Sequence, residues 1–144
     1  MTSAAILLVD DEVPFVEAMM RRLKKRNLNV QSAYSGDEAL TLLDRDGGID
    51  VVVLDVKMPG MDGIETLREI KKKFPLVEVI MLTGHATVET AIEGMKLGAY
   101  DYLMKPCDMD ELLGKVAEAK AKKNKHEQKI IEARVKEITL RRGD

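Results

Sequence analysis

A chain of 144 residues, 45% hydrophobic and 33% charged, is long enough for one domain with a buried core. Trp is absent and aromatics are 3%, so the core is aliphatic and Met-rich; the single cysteine, Cys107, excludes an internal disulfide and makes the cytoplasm the expected location. No apolar run approaches the ~20 residues of a membrane span, and the N-terminus lacks the pattern of a secretory signal.

Five short apolar runs alternate with five helical patterns. Ala5–Val9 reads as a buried parallel strand and ends at the acid pair Asp10-Asp11. Residues 13–26 follow as a helix: Pro14 suits a first turn, and Val16, Met19, Met20 and Leu23 recur at helical spacing. Asn29–Ala33 is a second strand, and Ser35 with Glu38 is a capping-box pattern for a helix through Leu43. Val51–Leu54 is a third strand, ended by Asp55. Asp62 with Glu65 repeats the capping pattern for a helix carrying Ile64, Leu67 and Ile70, which Pro75 stops. Residues 79–82 form a fourth strand, ended by Thr83. Residues 87–96 are predicted as a helix with Val88, Ala91, Ile92 and Met95 inward and Gly98 past its end. Residues 102–104 are a fifth strand, ended by Lys105, and Asp108 with Glu111 opens the fifth helix. Such alternation with short connections implies an α/β fold, a doubly wound parallel sheet with helices on both faces.

The fifth helix has no clear stop. Residues 114–142 contain no Pro and are rich in Ala, Lys and Glu, with Glu118-Lys122 and Glu132-Lys136 in the favourable i, i+4 order. A heptad seam runs Ala117, Ala121, Asn124, Gln128, Ile131, Val135, Ile138, but only its last three members are large and apolar. Polar seam positions weaken pairing, so a solvated helical extension is favoured narrowly over a short coiled coil. Charge divides along the same line. Residues 1–114 carry 13 Lys/Arg against 20 Asp/Glu, a net −7, and residues 115–144 carry 10 against 5, a net +5.

The polar residues that end the strand runs gather at one edge, because the carboxyl ends of parallel strands share an edge and open α/β sheets bind ligands there. A lone carboxylate after a strand is usually a cap or a solvated turn residue. Asp10, Asp11 and Asp55 converge if the first and third strands are neighbours. Three clustered carboxylates repel unless a cation sits among them, and without a Cys/His cluster the cation that fits is magnesium. Lys105 leaves a buried strand and precedes Pro106, so its stem is aimed inward, at phosphate or carboxylate.

The patterns Val-Asp-Asp-Glu, Leu-Asp-Val-Lys-Met-Pro-Gly-Met-Asp-Gly, Leu-Thr-Gly and Asp-Tyr-Leu-Met-Lys-Pro, in this order and separation, resemble the response-regulator receiver domain of bacterial two-component systems. The resemblance covers about residues 4–122. It implies a five-stranded, flavodoxin-like sheet of order 2-1-3-4-5, with residues 1–122 as receiver and 123–144 as a basic helical extension or linker. It also implies roles. Asp55 is the phosphoacceptor; Asp10, Asp11, Asp55 and the backbone carbonyl of Lys57 hold Mg2+. Lys105 pairs with the phosphoryl group, Thr83 hydrogen-bonds it, Tyr102 changes rotamer with Thr83, and the Lys105-Pro106 bond is cis. Lys57 and His85 occupy positions that vary in the family and affect phosphoryl lifetime, and Gly63 and Gly84 read as turn residues. The implied partner is a sensor histidine kinase or phosphotransfer protein. The implied output face comprises the fourth helix, fifth strand and fifth helix, with homodimerisation there or through the C-terminal helix. The chain is expected to be a phosphoacceptor rather than an enzyme.

Other readings fit less well. An aspartate-based phosphohydrolase needs a second acid two residues after the nucleophile, where this chain has Lys57. A flavodoxin-type electron carrier needs a Ser/Thr/Gly-rich phosphate loop after the first strand, where this chain has Asp10-Asp11-Glu12. The basic tail, without aromatics or a recognition motif, predicts no direct nucleic-acid binding beyond weak, salt-sensitive contact. Residues 82–97 and the long last helix are similar to receivers that precede transcription-activating ATPases. Two readings therefore stay open: a complete single-domain regulator, or the receiver of a larger transcription-activating regulator.

Overall fold

The computed structural model describes residues 4–142. The elements alternate strictly: β1 (Ala5–Val9), α1 (Val13–Lys25), β2 (Asn29–Ala33), α2 (Gly36–Arg45), β3 (Val51–Leu54), α3 (Gly63–Lys73), β4 (Glu78–Thr83), α4 (Val88–Lys96), β5 (Asp101–Met104) and α5 (Met109–Arg142). All strand pairs are parallel, in the order β2-β1-β3-β4-β5. This is the flavodoxin-like doubly wound sheet the sequence predicts. The two-residue period of the strands builds two cores. Leu7, Val9, Val52, Leu54, Val79 and Met81 face α2 and α3, and Ile6, Leu8, Val51, Val53, Ile80 and Leu82 face α1 and α5.

Local signals set the helix starts. Ser35 Oγ accepts the Glu38 N–H at 3.1 Å, but the Glu38 carboxylate accepts from Tyr34 N–H at 3.3 Å, so the predicted box is half made. Asp62 caps α3 by accepting from Glu65 N–H at 2.8 Å. At α4 a box of two threonines forms, Thr87 and Thr90 each accepting the other's backbone N–H at 3.1 Å.

One expectation fails. Val88, Ile92 and Met95 of α4 do not face inward; they are 76%, 52% and 47% exposed, and Ala91 is only half-buried. Gly94 is the one buried residue of the helix. Periodicity finds a stripe but not what covers it. Here Gly94 is the residue of α4 that lies against the Tyr102 ring, and the Val88, Ile92 and Met95 stripe stays uncovered.

Helix α5 packs its first turns by Met109, Leu112, Val116 and Ala119. It then continues along the sheet through ion pairs. Lys115 meets Asp101 at 3.1 Å, Lys120 and Lys123 meet Asp50 at 3.0 and 3.2 Å, and Lys122 meets Glu78 at 3.5 Å. These three acids open or precede β5, β3 and β4, at the amino edge of the sheet. Lys123 is buried, and from Gln128 to Arg141 every residue is exposed, including Ile131, Val135 and Ile138 of the predicted seam.

Candidate functional site

The carboxyl edge of the sheet carries the polar cluster. Asp10, Asp55 and Lys105 are each the first residue past a strand, and each is still held by the ladder. Asp10 N–H donates to Ala33 O at 3.1 Å, Asp55 N–H to Val9 O at 2.9 Å, and Lys105 N–H to Thr83 O at 2.9 Å. The side chains are thus positioned by rigid backbone. Because β1 and β3 pair, Asp10, Asp11 and Asp55 converge, with a carboxylate oxygen of each within 4.8 Å of the others. Asp10 and Asp55 are buried and Asp11 is half-buried. Asp55 Oδ1 accepts the Val56 N–H at 2.8 Å.

Lys105 reaches this cluster from β5. Its Nζ donates to Asp10 Oδ2 at 2.6 Å and to Glu12 Oε1 at 3.1 Å, and lies 4.0 Å from the centroid of the Phe15 ring. Burial alone lowers a lysine pKa, but the bonds to Asp10 and Glu12 outweigh it, and the Lys105 ammonium sits above its ordinary value. Asp10 moves upward as well. Burial raises it and Asp55 adds to the rise, against Lys105 and the Glu12 N–H, which pull it down.

Residue Gly63 fixes the loop beneath Asp55 by close approach rather than by a turn. It is the first residue of α3, its N–H donates to Val56 O at 2.6 Å, and a Cβ there would stand 1.9 Å from Asp55 O. Gly84 has open space, with only Lys105 Cδ at 4.0 Å. Lys57 and His85 line an open cleft of about 420 Å3 beside the cluster, together with Asp11, Glu12, Met58 and Pro59. A second hollow, also lined by Lys57 and His85, continues to Thr87 and Thr90 at the start of α4.

Two of the remaining predicted residues, Thr83 and Tyr102, hydrogen-bond residues that line this hollow. Thr83 is fully buried at the end of β4, and its Oγ1 accepts the His85 N–H at 3.0 Å. Tyr102 is half-buried; its hydroxyl shares a 2.7 Å hydrogen bond with Thr90 Oγ1. The Lys105-Pro106 bond is cis. Sequence reasoning did not single out Phe15, Thr90 or the pairing of Glu12 with Lys105. The Val-Asp-Asp-Glu pattern could have flagged Glu12 as a third acid at the same strand end, but a contact 93 residues apart leaves no local signal.

An all-oxygen donor set suits a hard divalent cation, and no Cys or His joins the cluster among the described residues.

The chain belongs to the response regulator receiver domain family, whose model matches residues 6–117. It is 45% identical over 107 residues to the transcriptional regulatory protein ZraR of Salmonella typhimurium, covering 74% of this chain and 24% of that protein. It is 38% identical over 115 residues to a putative NtrX-like response regulator of Rickettsia conorii, with 78% and 24% covered. The chain thus spans about a quarter of the length of these curated relatives. Among solved structures it is similar to a response regulator receiver domain from Clostridium thermocellum, with TM-score 0.79, 38% identity, and 84% of this chain and 97% of that one covered. It is also similar to a structure described as an adenylate cyclase from Rhodopirellula baltica, with TM-score 0.84, 28% identity, and 92% and 98% covered.

Proposed function

We propose that this receiver is switched by phosphorylation at Asp55, with the phosphoryl group taken from a sensor histidine kinase or a phosphotransfer protein. The observation that carries the reading is the convergence of Asp10, Asp11 and Asp55 within 4.8 Å, with Lys105 at 2.6 Å from Asp10 and Thr83 buried at a nearby strand end. In the transfer, an Asp55 carboxylate oxygen forms a bond to phosphorus while the phosphorus–nitrogen bond of the donor histidine breaks, and the electron pair leaves with the imidazole. Phosphoryl transfer asks the protein mainly to position groups and neutralise charge. Asp55 is held by its ladder bond and by Val56 N–H. Lys105 supplies a positive charge, and the Thr83 hydroxyl supplies a donor once it turns from His85. Asp10, Asp11, Asp55 and the Lys57 carbonyl would hold Mg2+, which when bound offsets the charge of the transferred group.

Output follows from charge gained at Asp55. A charge-assisted hydrogen bond draws Thr83 toward the phosphoryl group, and the Tyr102 ring and α4 adjust. The responsive face is α4, β5 and α5, with self-association there or through the exposed end of α5. The protein acts as a phosphoacceptor that assists its own phosphorylation, not as an enzyme on a separate substrate. The span of about a quarter of the named transcriptional regulators favours a second reading of context, as the receiver of a larger transcription-activating regulator. Incubation with acetyl phosphate and magnesium tests the chemistry: one phosphoryl mass is added to the wild type and none to Asp55→Asn. Full labelling of Asp55→Asn overturns the assignment.

A further inference from the structure

The lysine that would meet the phosphoryl group is already engaged. Its Nζ is shared by Asp10, by Glu12 and by the face of the Phe15 ring, and no ion pair with Asp55 within 4.0 Å forms among the described residues. Glu12 differs from the other two partners. Asp10 is buried and part of the acidic cluster, whereas the Glu12 side chain is 57% exposed at the mouth of the cleft. Glu12 also occupies the N-cap position of α1, yet its side chain makes no capping hydrogen bond there. An acidic residue at a helix start ordinarily serves the orphan N–H groups of the first turn. Here the carboxylate turns to Lys105 instead. Its backbone keeps that posture, because Glu12 N–H donates to Asp10 Oδ1 at 2.9 Å.

We propose that Glu12 is a positioning residue that holds Lys105 toward the cleft mouth and so competes with a phosphoryl group on Asp55 for the ammonium. The inference rests on the phosphorylation reading and deepens it. Asp10 and the Phe15 ring keep the ammonium in the site when Glu12 lets go, so losing the Glu12 contact frees Lys105 without expelling it. The Glu12–Lys105 pair is partly exposed, and such pairs shift an equilibrium by about two- to fivefold. Glu12→Gln, an exposed and nearly isosteric change, therefore speeds acetyl-phosphate labelling of Asp55 by about two- to fivefold when magnesium is saturating.

A gain in rate could also come from weaker repulsion of the anionic donor. A double-mutant cycle separates the two causes. If Glu12 acts through Lys105, Glu12→Gln changes nothing in a Lys105→Gln background, although that background labels more slowly. The same gain in both backgrounds, or no gain in the wild type, overturns the proposal. A second measurement needs no labelling. In the free protein, side-chain amine NMR should show the Lys105 ammonium exchanging its protons faster in Glu12→Gln than in the wild type; unchanged exchange also overturns it. If the wild type is not labelled at Asp55 at all, the phosphorylation reading fails, and ammonium exchange still reports whether Glu12 restrains Lys105.

Discussion

Replacing Gly63 by Ala tests how the loop after β3 places Asp55. An added Cβ would stand 1.9 Å from Asp55 O, 2.6 Å from Val56 Cα and 2.8 Å from Asp55 C. Non-bonded carbons settle at about 3.5–4.0 Å, so the start of α3 and the end of β3 must part by roughly 1 Å or more. Overpacking of this kind costs about 1–3 kcal/mol, and backbone atoms that cannot rotate away favour the upper end. Alanine returns less than about 1 kcal/mol of helix propensity at a first helical position. The net expectation is a loss of about 2 kcal/mol, or about 4–8 °C in Tm for a domain of this size. Because the displaced carbonyl belongs to Asp55, labelling should fall further than stability alone predicts; a shift of about 1 Å in a reacting group can cost about a hundredfold.

The assays are urea unfolding and acetyl-phosphate labelling at a temperature where the variant is folded. Gly36→Ala is the matched control. Its Cβ would press on side chains, Thr66 Oγ1 of α3 and Met61 Sδ, rather than on the backbone of Asp55. Gly36→Ala should lose stability while keeping its labelling rate. If Gly63→Ala labels at the wild-type rate, or if both variants lose labelling equally, the close approach does not position Asp55.

Three further expectations follow. Asp50 feels burial, which raises a carboxyl, but the Ala5 N–H and the ammonium groups of Lys120 and Lys123 prevail and hold it below its ordinary 3.8. A depressed folded pKa gives stability that is present above 3.8 and is lost as pH falls through the folded value. Asp50→Asn should therefore lose about 2 kcal/mol at pH 7 and lack that acid-limb loss; equal urea midpoints for the two proteins would refute the anchoring role. Asp11→Ala should bind magnesium more weakly while its metal-free stability holds or rises, since fewer carboxylates repel; unchanged magnesium affinity by calorimetry would remove the cluster as the metal site. Tyr102→Ala should leave Asp55 labelling intact but abolish the phosphorylation-dependent gain in association, typically about 1–3 kcal/mol of coupling; association that still strengthens on phosphorylation would exclude Tyr102 from the path.

Strand runs and strand-end residues were legible because a parallel sheet leaves continuous apolar segments of fixed direction. Ala5–Val9 and Val51–Leu54 need only be neighbours for Asp10 and Asp55 to meet, and their pairing does that. Capping residues Ser35 and Asp62 were legible because their bonds span three residues. The face of α4 was not, because periodicity marks a stripe without saying what covers it, and here Gly94 rather than Val88, Ile92 or Met95 lies against Tyr102. Nor were the acids Asp50 and Glu78. In sequence they read as ordinary polar residues beside strand runs, and their lysine partners come from distant elements, α5 for both and Lys71 of α3 for Glu78.

The two poles of the sheet divide the mechanical work. Helix α5 is fixed at the amino edge by Lys115, Lys120, Lys122 and Lys123 and along its face by Met109, Leu112, Val116 and Ala119. Moving it would expose that apolar face and separate several charges at once. Helix α4 buries no apolar side chain and borders the hollow that runs from His85 to Thr90. Elements with few buried apolar contacts are the ones that open at low cost. In the phosphorylation reading proposed above, a charge gained at Asp55 would act first on Thr83, whose hydroxyl is bound to the backbone of His85, where the loop into α4 begins. The Thr90–Tyr102 bond then resists with roughly 1 kcal/mol, a barrier that one charge-assisted hydrogen bond of about 1.5–3 kcal/mol can overcome. The same charge cannot lift α5 from its ion pairs. On that reading movement would be confined to α4 and Tyr102, and α5 would serve as the fixed edge of any new surface.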